Sequence, residues 1–249
     1  ERLTRRSAPL GDGPGALADA AAAAGADGKR LRPALVVAAF RAFGGDPDPA
    51  LWDVAAAFEL LHTGFVVHDD LIDRDLERRG APNVAGRFRT RARALGATAD
   101  DAATVGDAAA VLAGDLLLFE ATRLIATAEI PGDVRARLFA VLDDAILVSA
   151  AGELADVENA ARADVPDTDE LLGAAHDKTA LSSFEAPLVA GAILAGASPA
   201  AQRDLAAAAA DLGLAFQLVD DLIGTFGSRR QAGRDPGADL REAKRTPLI

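Results

Sequence analysis

Apolar residues recur along most of this chain at intervals of three and four positions, the spacing of one face of an α-helix. Such runs cover residues 50–73, 101–128, 132–159, 168–195 and 200–223. No stretch alternates between apolar and polar residues for long, and no Asn-Gly turn joins two strand-like runs. Ala and Leu dominate the apolar residues, and both favour helices. The sequence therefore predicts an all-α fold of roughly eight to ten helices.

One of these predicted helices ends in three carboxylates. The run from Phe58 begins with apolar residues at helical spacing and ends with Asp69, Asp70 and Asp73. At about 100° per residue, Asp69 and Asp73 share a face of the helix, with Asp70 to one side. Clustered carboxylates are costly to bury together, and the C-terminal end of a helix is already negative. We therefore expect a hard divalent cation here, Mg²⁺ first and Mn²⁺ as an alternative.

A second acidic pair ends the last of the apolar runs. Asp220 and Asp221 begin the tetrapeptide Asp-Asp-Leu-Ile, which repeats residues 69–72. Because each pair lies at the end of an apolar helix, we expect the two segments to form facing walls of one cavity.

Basic residues are concentrated at two places. Lys29, Arg30 and Arg32 surround the start of a predicted helix that has Pro33 in its first turn. A helix N-terminus with added Lys and Arg binds anions, phosphates above all, although a solvated basic turn is the alternative.

The second basic place follows the first acidic segment, which comprises Asp69, Asp70 and Asp73. Arg78 and Arg79 lie close to it in the chain, and an arginine fork suits two oxygens of one phosphate. The arginines that follow are interpreted as a solvated surface segment (Arg87, Arg89, Arg91 and Arg93).

The composition of the chain excludes several classes of function. The chain has 249 residues and a net charge of −12, which argues against general nucleic-acid binding. It has no cysteine, which excludes disulfides, thiol catalysis and Cys-based zinc sites. No uninterrupted apolar run reaches the roughly 18–20 residues that span a bilayer. We therefore expect a cytoplasmic protein without a transmembrane segment.

Five motifs, in the same order, resemble those of the trans-isoprenyl diphosphate synthases, also called the polyprenyl synthetase family. They are Gly28–Pro33, His62–Asp73, Arg78–Gly80, Lys178-Thr179 and Phe216–Asp221. The resemblance implies a single all-α domain over residues 1–249, built around a deep central cavity and assembled as a homodimer. It also implies that the chain ends before the last helices of the family.

The resemblance further implies a reaction and its residues. In this family an allylic diphosphate ionises, and its carbocation alkylates isopentenyl diphosphate with release of pyrophosphate. Expected metal ligands are Asp69, Asp70, Asp73 and Asp220. Contacts with the allylic diphosphate are expected from Arg78, Lys178 and Lys244, and contacts with isopentenyl diphosphate from Lys29, Arg32, His62 and Arg79. Thr179 and Gln217 are expected beside the reacting chains.

Some positions depart from the family pattern. Gly224 stands where the second acidic motif usually has its last Asp, which puts a full set of ligands for a third metal ion in doubt. Glu153 replaces a common Gln, while Asp156 keeps its place. Arg234 stands where a Lys is frequent.

The length of the product is expected to depend on Phe65. In this family, bulky side chains one turn before the first acidic motif act as a floor to the growing chain. Phe65 lies four residues before Asp69, whereas the position before it is Gly64. A single Phe suggests a cavity of intermediate depth and products of fifteen or twenty carbons.

Two other functions compete with an active prenyltransferase. A non-catalytic partner subunit would keep the fold but lose ligands, and only Gly224 favours this. A class I terpene cyclase shares the fold and the metal chemistry but uses one substrate. The basic motifs at residues 28–33 and 78–79, which serve a second diphosphate, disfavour the cyclase.

Overall fold

The computed structural model describes residues 2–26, 28–164 and 166–227, and most of them are helical. This confirms the all-α prediction. The α-helices are α1 (Arg2–Ser7), α2 (Asp12–Ala24), α3 (Leu31–Ala42), α4 (Pro49–Ile72), α5 (Val84–Ala94), α6 (Ala99–Thr127), α7 (Gly132–Ala161), α8 (Thr168–Ala175), α9 (Ala186–Leu194) and α10 (Pro199–Phe226). A 3₁₀ turn, Ala8–Leu10, follows α1, and a π-helix, His176–Glu185, joins α8 to α9.

The local sequence explains where the long helices begin. Asp48 Oδ1 accepts the backbone N–H three residues on, and Pro49 is the first residue of α4. Ser198 Oγ does the same before α10, which opens with Pro199. A side-chain acceptor followed by proline is a strong start signal, because proline lacks the N–H that would need a partner there.

Contacts divide the chain into two compact units, of which the first comprises Glu1–Leu31 and Ala56–Leu124. A buried cluster on α2, α4, α5 and α6 forms its core: Ala20, Ala21, Val67, Val84, Ala85, Ala109, Ala110, Ala113 and Leu117. The small side chain of alanine lets these helices approach closely. This unit carries the first acidic segment and the two arginines that follow it.

The second unit comprises Arg32–Ala55 and Ile125–Ile249. Its π-helix packs against α7 and α10. A Cβ at Gly152 would lie 2.3 Å from Lys178 N, and one at Gly213 would lie 2.6 Å from Ala180 Cβ. Both glycines are therefore needed for the close approach of these helices. The π-helix carries Lys178 and Thr179. The prediction of a single domain stays a prediction.

A small hairpin was not predicted from the sequence. Strands β1 (Glu77–Arg78) and β2 (Ala81–Pro82) pair in antiparallel fashion. Arg79 (φ 54°) and Gly80 (φ 76°) form the turn between them. Positive φ at both central positions is typical of a type I′ turn, which matches the twist of a hairpin. Asn83 then caps α5, where the sequence had predicted only a surface segment.

By length and composition alone, α4 and α6 are able to cross a bilayer, although polar residues interrupt the apolar runs of both helices. The most apolar 18-residue segment of α4 is 56% buried, and that of α6 is 39% buried. Core helices of water-soluble proteins pass the same test. The absence of a transmembrane segment therefore stays a prediction.

Candidate active site

The first acidic segment lies at the C-terminal end of α4. Asp69 and Asp70 belong to the last turn, and Asp73 follows the helix with its N–H bonded to the Asp69 carbonyl oxygen at 2.9 Å. Asp70 is 5% exposed, whereas Asp73 is exposed. Three carboxylates thus lie at the negative end of the helix dipole, where they need a cation.

Arg78 on the hairpin supplies such a cation. Its Nε donates to Asp70 Oδ1 at 2.6 Å, and its Nη2 donates to Asp69 Oδ2 at 3.3 Å. Burial raises the pKa of Asp70 above its ordinary value near 3.8, and the Arg78 guanidinium offsets this rise in part. From the sequence, a metal ion was the simplest remedy for the clustered charge. In the structure, a guanidinium already pairs with two of the three carboxylates.

A cavity of about 100 Å³ opens beside this ion pair. Its lining includes Asp70, Arg78, Arg79 and Arg87. Arg87 is exposed, in keeping with the interpretation of a solvated segment, and its Nε donates to the Pro82 carbonyl oxygen at 3.1 Å. Three guanidinium groups against one carboxylate give this cavity a positive balance in an acidic chain. The cavity therefore suits an anionic group.

The donors at the end of α4 have the chemistry of a Mg²⁺ site, because carboxylate oxygens are the ligands that this hard cation prefers. Across the described ranges, no group of three metal-ligating side chains converges on one point. Asp70 is held by Arg78. Asp69 and Asp73 are more exposed than Asp70, so a cation from solvent reaches these two more readily.

His68, the residue before Asp69, makes a contact that the sequence did not reveal. Its Nε2 lies 3.5 Å from Asp115 Oδ1 and 3.3 Å from the Val111 carbonyl oxygen. A Cβ at Gly114 would lie 2.1 Å from the same nitrogen, so the ring occupies the space that glycine leaves. The Gly-Asp pair within an apolar run was the available signal. This contact holds α6 beside the acidic segment.

Phe65 lies one turn before Asp69 on α4 and is half-buried. A Cβ at Gly64 would lie 2.9 Å from Leu118 Cδ2. A bulky residue at position 64 would therefore collide with α6. His62, an earlier residue on α4, is also half-buried.

The residues of the basic turn before α3 belong to different units: Lys29 and Arg30 to the first, and Arg32 to the second. Lys29 is exposed, and Arg30 (φ 54°) donates from Nη1 to Glu59 Oε1 at 2.6 Å. Arg32 belongs to the second unit, where its Nη2 donates to Ser183 Oγ at 2.6 Å. The joint contact of Lys29 and Arg32 with one diphosphate stays a prediction.

Lys178 lies between two carboxylates in the second unit. Its Nζ is 2.8 Å from Asp156 Oδ2 and 3.0 Å from Glu153 Oε2. Thr179, the next residue of the π-helix, is half-buried. π-Helical turns are rare in proteins, and those that occur are frequently found at functional sites. Glu153 departs from the family pattern, and the sequence does not predict its pairing with Lys178.

The second acidic segment lies near the end of α10. Gln217 Nε2 donates to Asp221 Oδ1 at 2.8 Å, and Asp221 is 8% exposed. Asp220 is exposed and is thus the more accessible carboxylate of this pair. Gly224 is buried. Lys244, the remaining expected contact, lies outside the described residues, as does Arg234.

Known proteins resemble this chain over most of its length. The geranylgeranyl diphosphate synthase of Sulfolobus acidocaldarius is 34% identical over 224 residues, which are 89% of this chain and 62% of that protein. The (2E,6E)-farnesyl diphosphate synthase of Mycobacterium tuberculosis is 39% identical over 219 residues, which are 88% of this chain and 55% of that protein. The chain thus spans little more than half the length of these relatives.

A solved structure matches the fold. The crystal structure of a Corynebacterium glutamicum geranylgeranyl pyrophosphate synthase, complexed with isoprenyl diphosphate and magnesium, has a TM-score of 0.91 and 30% identity. The match covers 98% of this chain and 69% of that one. The sequence signature of the polyprenyl synthetases matches residues 16–249. The chain therefore belongs to the polyprenyl synthetase family.

Proposed function

We propose that this chain is a prenyltransferase that condenses isopentenyl diphosphate with an allylic prenyl diphosphate, head to tail, and releases pyrophosphate. The observation that carries the proposal is the cavity beside the end of α4, where three arginines adjoin a cluster of carboxylates. Such a place offers both metal ligands and donors to a diphosphate. Membership of the family supports the same reaction.

The basic side chains bind the two diphosphates. Donors to the allylic diphosphate are Arg78, Lys178 and Lys244, and donors to isopentenyl diphosphate are Lys29, Arg32, His62 and Arg79. As the allylic C–O bond breaks, negative charge accumulates on the leaving pyrophosphate, and fixed cations stabilise it. Asp69, Asp70, Asp73 and Asp220 would hold Mg²⁺, which would supply further positive charge to stabilise the leaving pyrophosphate.

Other residues of the site lie beside the carbocation and protect it from water. Thr179 and Gln217 lie beside the reacting chains, and alanine and leucine side chains exclude water that would quench the cation. The double bond of isopentenyl diphosphate attacks the cation and a C–C bond forms. Loss of a proton to the released pyrophosphate then gives the longer allylic diphosphate. Phe65 limits the product to fifteen or twenty carbons, in keeping with the names of the farnesyl and geranylgeranyl relatives.

We also propose that the enzyme is a cytoplasmic homodimer that pairs through α6. Val105, Leu112 and Phe119 recur every seven residues on this helix and are 42%, 54% and 58% exposed. An exposed apolar stripe at this spacing suits pairing with a like helix.

Incubation with Mg²⁺, isopentenyl diphosphate and each allylic starter tests the proposed function. A longer prenyl diphosphate together with released pyrophosphate is the expected result. Hydrocarbons made from a single allylic diphosphate would instead identify a terpene cyclase. The absence of any product would point to a non-catalytic partner subunit.

A further inference from the structure

Lys178, the proposed donor to the allylic diphosphate, already belongs to an ion cluster. We propose that Glu153 is a positioning residue that restrains the Lys178 ammonium and lowers the affinity of this site for diphosphate anions. This inference rests on the proposed function for the role of Lys178, but the contacts that carry it belong to this chain alone.

The ammonium is shared between two carboxylates. Nζ lies 2.8 Å from Asp156 Oδ2 and 3.0 Å from Glu153 Oε2. The side chain of Glu153 is 20% exposed and that of Lys178 is 24% exposed, so water screens this pair only in part. Two carboxylates thus lie within ion-pair distance of this one ammonium. They offset its positive charge, and each of them repels an incoming diphosphate.

The backbone of α7 places Glu153 next to the π-helix that carries Lys178. A Cβ at the preceding Gly152 would lie 2.3 Å from Lys178 N, so α7 and the π-helix touch at this residue. Glu153 and Asp156 are three residues apart on α7 and thus share one face. Both carboxylates therefore lie on the side of α7 that faces Lys178.

Glu153→Gln is the informative change, because it removes one charge and keeps a similar shape with an oxygen acceptor. Glu153 Oε2 lies 3.0 Å from the ammonium, so loss of its negative charge should tighten binding of an anion to Lys178 about five-fold. The expected effect is small for so short a distance because water partly screens these charges. The gain should shrink as salt is raised, since screening weakens the removed repulsion.

Titration calorimetry with inorganic pyrophosphate, on the full chain in EDTA at low salt, measures this directly. We expect E153Q to bind pyrophosphate about five-fold more tightly than the parent chain. Glu158→Gln is the matched control, because it removes the same charge from an exposed position on α7, and its affinity should equal that of the parent. Lys178→Ala should abolish the difference between Glu and Gln at position 153. Thermal unfolding shows which variants are folded, and Glu153→Ser serves as a second neutral variant.

Steady-state kinetics separate this inference from the proposed function. The KM for the allylic diphosphate should fall in E153Q while the KM for isopentenyl diphosphate stays unchanged, which a merely structural role would not produce. Unchanged or weaker pyrophosphate binding in both neutral variants would overturn the inference even if prenyl products are formed, and so would undetectable binding by every variant. Tighter binding in E153Q without any prenyl product would uphold the inference and refute the proposed function.

Discussion

Replacing Arg78 with methionine should leave the buried Asp70 carboxylate without its counter-ion. Breaking a fully buried ion pair costs about 3–5 kcal/mol. The Asp70 side chain is 6% exposed but that of Arg78 is 39% exposed, so solvent screens the pair and we expect a loss of about 2 kcal/mol. For a chain of this length, the loss corresponds to a fall in Tm of about 4–8 °C.

The loss should depend on pH, because it arises from the charge on Asp70. Burial already raises the pKa of Asp70, and removal of the guanidinium raises it further. A carboxyl group with a raised folded-state pKa destabilises the fold once the pH exceeds its unfolded value, and it costs nothing where both states are protonated. The gap between R78M and the parent chain should therefore widen from about pH 4 toward neutrality.

Thermal unfolding followed by circular dichroism across this pH range is the assay. Arg91→Met is the matched control, because it removes an exposed arginine from α5 and should change Tm little. In the background of Asp70→Asn, R78M should cost less than about 1 kcal/mol, since no buried charge is left unpaired. A loss that is the same at every pH, or that is just as large in the Asp70→Asn background, would refute the role of Arg78 as the counter-ion.

Two further changes test the product length and the assembly. Phe65→Ala should lengthen the product, because it removes the side chain proposed as the floor of the cavity, and chromatography of the products would contradict this by an unchanged distribution. Leu112→Asp places a charge in the exposed stripe of α6 and should convert a dimer into a monomer in light scattering. A parent chain that is monomeric at all concentrations would contradict pairing through this face.

The helical fold was largely predictable from the sequence. The ends of helices α4, α6, α7 and α10 differ by at most about three residues from those predicted by apolar spacing. Long segments with apolar residues at helical spacing give the strongest signal for a helix. The hairpin was missed because its turn places Arg79 at positive φ, a conformation that arginine seldom adopts. Helix α5 was not predicted because its many arginines make the segment polar overall, and its buried face, which includes Val84 and Ala92, is short.

Candidate site residues were found from motifs, but their partners were not. The approach of Arg78 to Asp70 depends on the hairpin, which only the structure shows. The ion cluster of Lys178 joins residues more than twenty positions apart. Spacing along a helix predicts which residues share a face, whereas contacts between elements depend on how these elements pack.

Thermal unfolding with Mg²⁺ and pyrophosphate tests most directly whether the carboxylates at the end of α4 bind the metal and the diphosphate. Ligands that bind the folded state raise its stability by about 2.7 kcal/mol at one hundred times their Kd, which raises Tm by several degrees. The parent chain should show this rise, and the double variant Asp69→Ala/Asp70→Ala should not. A rise of the same size in the double variant would mean that the metal and diphosphate bind elsewhere.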